Sequence, residues 1–302
     1  MLIGCIYKKH RFRCKAFTLS GFLLGASLGQ AAEGPFFVTY THQMEEPGNL
    51  ELSLKNITGK PDEGNRFVGG AVEFEYGLKG WWTTELYLDG QGTYNESSLM
   101  TGFRWENRFR VLPREHWINP VLYFEYENIT GADKSLLEIV NHDGVDDIAV
   151  PNAESRAEKK HEIEAKLILG SYYKGWTIAE NFIAEKNLGH APFEFGYAAG
   201  VSRPFALAAR AERCNFCPEN FEAGVEVYGG LGTHRDIGFH GTSQYVAPTL
   251  AWTLANGTTF RVSPTFGVTD TSAGFLLRFG VAYEIGQFGR SAGRLFRNFG
   301  GR

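Results

Sequence analysis

The chain has 302 residues, 43% hydrophobic, 14% aromatic and 21% charged, with 37 Gly, 4 Cys and a formal charge of −4. This composition excludes a disordered or collagen-like chain, and four Cys are too few for a disulfide-built miniprotein. No run reaches the ~18 consecutive apolar residues of a membrane-spanning helix.

Residues 1–15 carry Lys8, Lys9, Arg11, Arg13 and Lys15 and no acid. A short apolar run, AFTLSGFLLGASLG, follows at 16–29, and then small residues Gly29 and Ala31. A basic start, a short apolar middle and a small-x-small exit describe a secretory signal peptide over 1–31, cleaved after Ala31 or, second choice, Ala32. Its removal leaves 25 basic and 34 acidic residues, a net of −9, with Cys214 and Cys217 as the remaining thiols. An acidic exported chain has no electrostatic reason to bind nucleic acid.

Residues 32–49 read as a periplasmic lead-in segment, although 36–44 also alternate and offer a thirteenth strand. From residue 50 the dominant period is two. Val72, Phe74, Tyr76 and Leu78 alternate with Glu73 and Glu75; Phe103, Trp105 and Phe109 with Arg104, Glu106, Arg108 and Arg110. Leu122, Phe124 and Tyr126 alternate with Glu125 and Glu127; Ile163, Ala165 and Leu167 with Glu164 and Lys166. Leu277, Phe279, Val281 and Tyr283 stand opposite Arg278 and Glu284. Successive strand residues point to opposite faces, so the sheet has one apolar and one charged face. Twelve strands are expected, near 50–57, 67–78, 81–89, 99–111, 119–129, 161–173, 176–186, 193–204, 221–230, 244–254, 258–267 and 275–285. Within 176–186, Glu180 falls on the apolar face, and a β-bulge is expected to re-aim it.

Connection lengths roughly alternate between tight turns, at Lys79-Gly80, Lys174-Gly175 and Asn256-Gly257, and longer polar loops. Trp81, Trp82, Tyr172, Tyr173 and Trp176 flank the two Lys-Gly turns, as an interfacial aromatic girdle would. The expected fold is therefore all-β: an antiparallel transmembrane β-barrel over 50–285, with short periplasmic turns, longer extracellular loops and a basic tail over 286–302. The rival is a soluble periplasmic sandwich or lipocalin-like barrel with the apolar face inside.

The segments GLKGWWT and YYKGWT and the ending LLRFGVAYEI make the chain similar to the outer-membrane β-barrel proteins of diderm bacteria. It resembles more weakly the barrels assigned to transport in aromatic-compound degradation. The resemblance implies an outer-membrane location, contact with membrane lipids and lipopolysaccharide, and insertion by the barrel-assembly machinery. One departure is the tail after the last strand, which carries Arg290, Arg294, Arg297 and Arg302.

If the apolar face meets lipid, the charged face lines the lumen. Lumen-lining candidates are Glu73, Glu75, Glu85, Arg104, Glu106, Arg108, Arg110, Glu125, Glu127, Glu164, Lys166, Arg261 and Arg278. They form either a selectivity wall of acidic bias for small solutes or a charge ladder that holds a narrow barrel together. The leading function is a passive channel; the rival is a closed structural or adhesive barrel presenting its loops.

Other motifs are weaker. Cys214-Asn215-Phe216-Cys217 is a disulfide candidate, with redox and metal readings beside it. His234, Asp236 and His240, and the carboxylates of 141–147, offer unspecific metal sites. For a lipid hydrolase the nearest pair is His240 and Ser243, whose spacing puts them on opposite faces of a strand. No catalytic residue and no cofactor is assigned. Loop 130–160 is the longest insertion, with short helices expected at 135–140 and 152–162.

Overall fold

A computed structural model describes residues 34–61, 63–135, 148–189, 191–209 and 214–299. The expected signal peptide, the carboxylates of 141–147 and most of the helix expected at 135–140 lie outside the described residues.

Twelve antiparallel strands close on themselves among the described residues. They are β1 (Leu50–Gly59), β2 (Phe67–Lys79), β3 (Trp82–Thr93), β4 (Ser98–Arg110), β5 (Asn119–Thr130), β6 (Lys159–Tyr173), β7 (Trp176–Asn187), β8 (Phe193–Pro204), β9 (Phe221–Thr233), β11 (Gln244–Thr253), β12 (Thr258–Gly267) and β13 (Phe275–Ile285). A two-residue strand, β10 (Asp236–Ile237), folds back on the end of β9. Closure comes from β1 against β13, in register from Leu50 opposite Ile285 to Gly59 opposite Leu276. A closed barrel leaves no edge unpaired, which hydrocarbon requires. Among the described residues two α-helices, α1 (Asn152–Ser155) and α2 (Phe288–Phe299), and a 3-10 turn at Pro218–Asn220 accompany the barrel. The helix expected over 152–162 is only α1, because β6 takes over from Lys159.

The alternation decides which face is outside. Phe74, Phe124 and Phe279 are 37%, 49% and 43% exposed, whereas Glu75, Glu106 and Arg108 are at most 1% exposed. The apolar face is the outer one, the reverse of a soluble sheet, and the sandwich and lipocalin alternatives are excluded. The molecule is a membrane-spanning β-barrel with its apolar face turned to lipid.

Three tight turns, between β2 and β3, β6 and β7, and β11 and β12, lie at the end where the chain enters β1 and leaves β13, beside the longer connections 111–118 and 205–220. At one of them Lys174 and Gly175 adopt φ of 49° and 84°. Trp81, Trp82 and Phe109 stack there, and Trp117 meets Tyr173 edge-on. Short turns and an aromatic belt mark the periplasmic rim.

Two expectations need correction. Residues 36–44 add no strand; apart from one isolated bridge, Pro47 to Gly77, the described part of the lead-in makes no sheet pairing. It does not remain below the barrel but enters it. Secondly, β7 pairs with β6 and β8 without a register shift, so no bulge re-aims Glu180. It stands exposed on the outer face between Leu169 and Ala199.

Candidate functional site

The lumen has two unlike walls. The inward positions of β2 to β6 hold long ionised side chains. Arg108 lies against Glu75, 2.7 Å from Glu85 and 3.3 Å from Glu106. Arg104 grips Asp89 through two 3.0 Å bonds and reaches Glu125 at 3.3 Å. Lys166 pairs with Glu164 at 2.7 Å, and Lys55 of β1 with Glu73 at 2.9 Å. The Tyr87 hydroxyl lies 2.8 Å from Glu73 and 2.7 Å from Glu85, with the Arg104 guanidinium over its ring. Glu51, Glu127 and Glu162 are buried on the same side, so acids outnumber bases along this wall.

The opposite wall, β7 to β13, is built mostly of small residues. Its buried inward positions include Ala179, Ala198, Ser202, Ala247, Thr249, Ser263, Thr265 and Ala282. Its buried charges are Glu185, Glu226, Arg261 and Arg278 among the described residues. Twelve strands enclose more space than such side chains fill.

That space is taken by the chain's own N-terminal segment. From Asn49 at the periplasmic rim it passes Gly77, rises into the lumen and turns back, so that Gly34 again lies at the periplasmic end. Glu226 seats it by accepting three consecutive backbone N–H bonds, from Phe37 (3.1 Å), Val38 (3.1 Å) and Thr39 (2.9 Å). The Asn181 amide pairs with both backbone groups of Tyr40, at 2.7 and 2.9 Å, in the manner of a neighbouring strand. Tyr40 then crosses to the charged wall. Its hydroxyl donates to Glu106 at 2.9 Å, its ring meets Tyr123 edge-on, and Lys166 lies 4.7 Å from its centre. Arg110 donates to the carbonyl of His42 at 3.2 Å, and the His42 ring meets Glu115 at 2.8 Å. Phe36 and Val38 are buried against the small-residue wall.

Two inward glycines make this fit possible. A Cβ at Gly200 would stand 2.8 Å from the Phe36 ring, and one at Gly170 would stand 2.2 Å from the His42 ring. Below the segment, at the periplasmic mouth, a cavity of about 340 Å³ remains; above it one of about 50 Å³ remains.

The described parts of the extracellular loop after β5, 131–135 and 148–158, lie at the other mouth. Ser135 donates to Asp89 at 3.1 Å and Lys134 to Thr93 at 3.3 Å. The buried Asn152 bonds Gln91 at 2.5 Å and the Ser97 carbonyl at 3.1 Å.

Burial raises the Glu45 carboxyl to about 7, helped by the charge of Glu284 and opposed by Arg108. Burial pulls His42 below its ordinary value, against the attraction of Glu115.

All thirteen lumen-lining candidates occupy inward positions, Arg110 at the periplasmic end and Arg261 and Arg278 on the small-residue wall. Cys214 and Cys217 form a disulfide in the periplasmic connection before β9. Asn215 beside them accepts from Trp252 Nε1 at 2.6 Å and from the Ala255 amide at 3.0 Å, so the disulfide loop is docked on the β11–β12 turn. His234, Asp236 and His240 lie exposed at the extracellular end. His234 Nδ1 accepts from the Phe193 amide at 3.2 Å. Ser243 is buried and donates to the Thr271 carbonyl at 2.7 Å, while His240 is exposed. Asn181 had no prominence in the sequence, and Glu226 stands out there only as one acid among several on the charged face. The signal that could have found the seat is the run of small inward residues on β8 to β12, which leaves a wall without a filling.

No family model matches the sequence, and no curated protein matches it. Among solved structures the chain is similar to an outer-membrane channel from Pseudomonas putida F1, with a TM-score of 0.53 and 9% identity over 81% of this chain and 98% of that one. A TM-score of 0.49 and 6% identity relate it to the KdgM porin in complex with disordered oligogalacturonate, over 77% of this chain and 98% of that one. LpxR from Salmonella typhimurium gives a TM-score of 0.40 at 11% identity, over 77% and 99%. At such identities the first likeness speaks for the fold alone, which is that of an outer-membrane barrel.

Proposed function

We propose that the protein is a non-enzymatic outer-membrane channel for small solutes, closed at rest by its own segment 36–45. The observation that carries this reading is the seat. The barrel wall leaves an axial space wide enough for an extended polypeptide, and a wall built only for rigidity would fill it with side chains. When the segment leaves, one side of the passage is lined by ion-paired carboxylates in excess of their cations, and the other by Ala, Ser and Thr. Such a lumen favours cations and neutral polar solutes over anions. Solutes reach it through the about 340 Å³ periplasmic cavity on one side and past the loop holding Asn152 on the other.

The test is single-channel recording in planar bilayers. The mature chain is expected to be mostly closed, and a variant lacking 34–45 to conduct steadily, with a reversal potential in a salt gradient that favours cations. A deletion variant that shows the heat-dependent gel mobility of a folded barrel and still passes no current would remove the reading. It would leave a closed structural barrel in its place, which the interlocked charges of β2 to β6 favour.

A further inference from the structure

The chain continues beyond the last strand into α2 (Phe288–Phe299), and the start of this helix is fixed rather than loose. Gln287 takes a φ of 54°, which breaks the line of β13, and its amide donates to Asn49 Oδ1 at 2.8 Å. The Gly289 amide donates to the Gly48 carbonyl at 3.0 Å. A Cβ there would stand 2.5 Å from the Tyr76 hydroxyl, so the close approach of the helix start to β2 favours glycine. The Phe288 ring packs edge-on against Tyr76 with centres 6.4 Å apart. Tyr76 shares the outer face of β2 with Val72, Phe74 and Leu78, so the helix starts on the lipid side of the periplasmic rim, not under the pore.

At 100° per residue, positions 288, 292, 295, 296 and 299 fall within an arc of roughly 100°. They are Phe, Ala, Leu, Phe and Phe. Positions 290, 294 and 297, all Arg, fall on the opposite side, and the helix contains no acid. A helix with one apolar and one cationic face lies in a membrane interface. The apolar arc begins with Phe288, which already touches the lipid-facing belt.

We propose that α2 is an interfacial anchor that lies on the periplasmic leaflet, with its apolar arc at the acyl boundary and its arginine arc, positions 290, 294 and 297, drawn to anionic phospholipid headgroups. Two observations choose this occupant over a protein partner: continuity of the apolar arc with the outer belt through Phe288 and Tyr76, and a charge opposite in sign to acidic phospholipids. The proposal does not rest on the channel reading, since a closed barrel would be anchored in the same way.

The full mature chain carries the test, with its native disulfide intact and an environment-sensitive fluorophore on F299C or, on the side nearer the arginines, G293C, where an added Cβ meets no neighbour within 4 Å. Each is reconstituted in vesicles of phosphatidylcholine alone or with added phosphatidylglycerol. At position 299 the emission is expected to shift to the blue and to lose quenching by aqueous iodide when phosphatidylglycerol is present. At position 293 iodide access should persist. Replacing Arg290, Arg294 and Arg297 by Ser should abolish the dependence on phosphatidylglycerol, while gel mobility shows that the barrel still folds. Equal iodide access at both positions would overturn the proposal. So would protection at 299 that is indifferent to lipid charge. Unlabelled F299C that cross-links into disulfide dimers under the protecting conditions would overturn it too, since a second copy would then be the occupant.

Discussion

The two walls of this barrel solve one packing problem differently. On β2 to β6 the interior is filled by side chains that hold one another, as Arg108 holds Glu75, Glu85 and Glu106. On β7 to β13 it is filled by a separate piece of chain laid against Ala, Ser and Thr. A ladder of buried ion pairs cannot give way piecemeal, because each charge removed strands its partner. A wall of small side chains loses little of its own when its filling departs. Rigidity therefore belongs to the first wall and movement to the second. Arg108→Ala should sharpen this most, costing about 3–5 kcal/mol by leaving buried carboxylates uncompensated. Ser263→Ala on the other wall should cost under about 1 kcal/mol. Denaturant unfolding in lipid vesicles measures both, and equal losses would erase the distinction.

A second break concerns the seat rather than the wall. Glu226→Gln keeps the shape of the side chain but turns one of its two acceptor atoms into a donor, facing backbone N–H groups of 37–39. The seat should weaken by roughly 1–3 kcal/mol, about a fivefold to 150-fold rise in the open-to-closed ratio of single-channel records. Gly200→Val should act the same way by colliding with Phe36. Both variants should leave the unfolding midpoint nearly unchanged. A large fall in the midpoint with no change in current would mean that the segment is a fixed part of the core.

The wall was far more legible in the sequence than its filling. Strand positions such as Phe74 and Glu75 announce their faces through alternation, which is a local property of neighbouring residues. The expected signal peptide, the tight turns and the girdle at Trp81 and Trp176 then point to the inverted orientation, so architecture follows from short-range patterns. The seat does not. Glu226 and Val38, which it binds, are 188 positions apart in the chain, and the pairing of Asn181 with the Tyr40 backbone has no side-chain complement to read on the segment. Residues 36–44 alternate as a strand would, but no edge is free to receive them once β1 has paired with both β2 and β13. Glu180 misled for the opposite reason: the apolar rule predicted a correction that the unbroken registers of β6, β7 and β8 do not contain.

A smaller effect separates the seated and released states by pH. Seated, Glu45 is raised from its ordinary value to about 7 by burial and by Glu284; released into water, it returns to that ordinary value near 4.5. Its contribution to seating is fully present below about 4.5 and is lost as pH rises through about 7. His42 works against this. Its value is lowered in the seat, so its contribution is present above the ordinary 6.5 and fades as pH falls below it. The Glu45 displacement is the larger, so current through the mature chain should rise between pH 5 and pH 8. Glu45→Gln should remove that rise and expose the opposite slope from His42. A Glu45→Gln channel that keeps the original slope would show that another group governs it.

The smallest expected effect lies on the outside of the second wall. Glu180 sits four residues above Trp176 on the outer face of β7, between Leu169 and Ala199, with Ile178 and Phe182 exposed beside it on the same strand. That position is within the lipid band above the girdle. A carboxylate facing acyl chains is destabilising, by less than the cost of a lysine or arginine at the same depth. Nothing in the seat or the ion-pair ladder depends on it, so Glu180→Leu should stabilise the barrel by about 1 kcal/mol and leave both conductance and its pH dependence unchanged. Unfolding in vesicles of thin and thick acyl chains adds a further check, because the gain should grow as the bilayer places residue 180 deeper. If the substitution destabilises the barrel instead, then Glu180 has a polar partner on this face in the membrane, and the outer surface of β7 and β8 is not plain lipid contact.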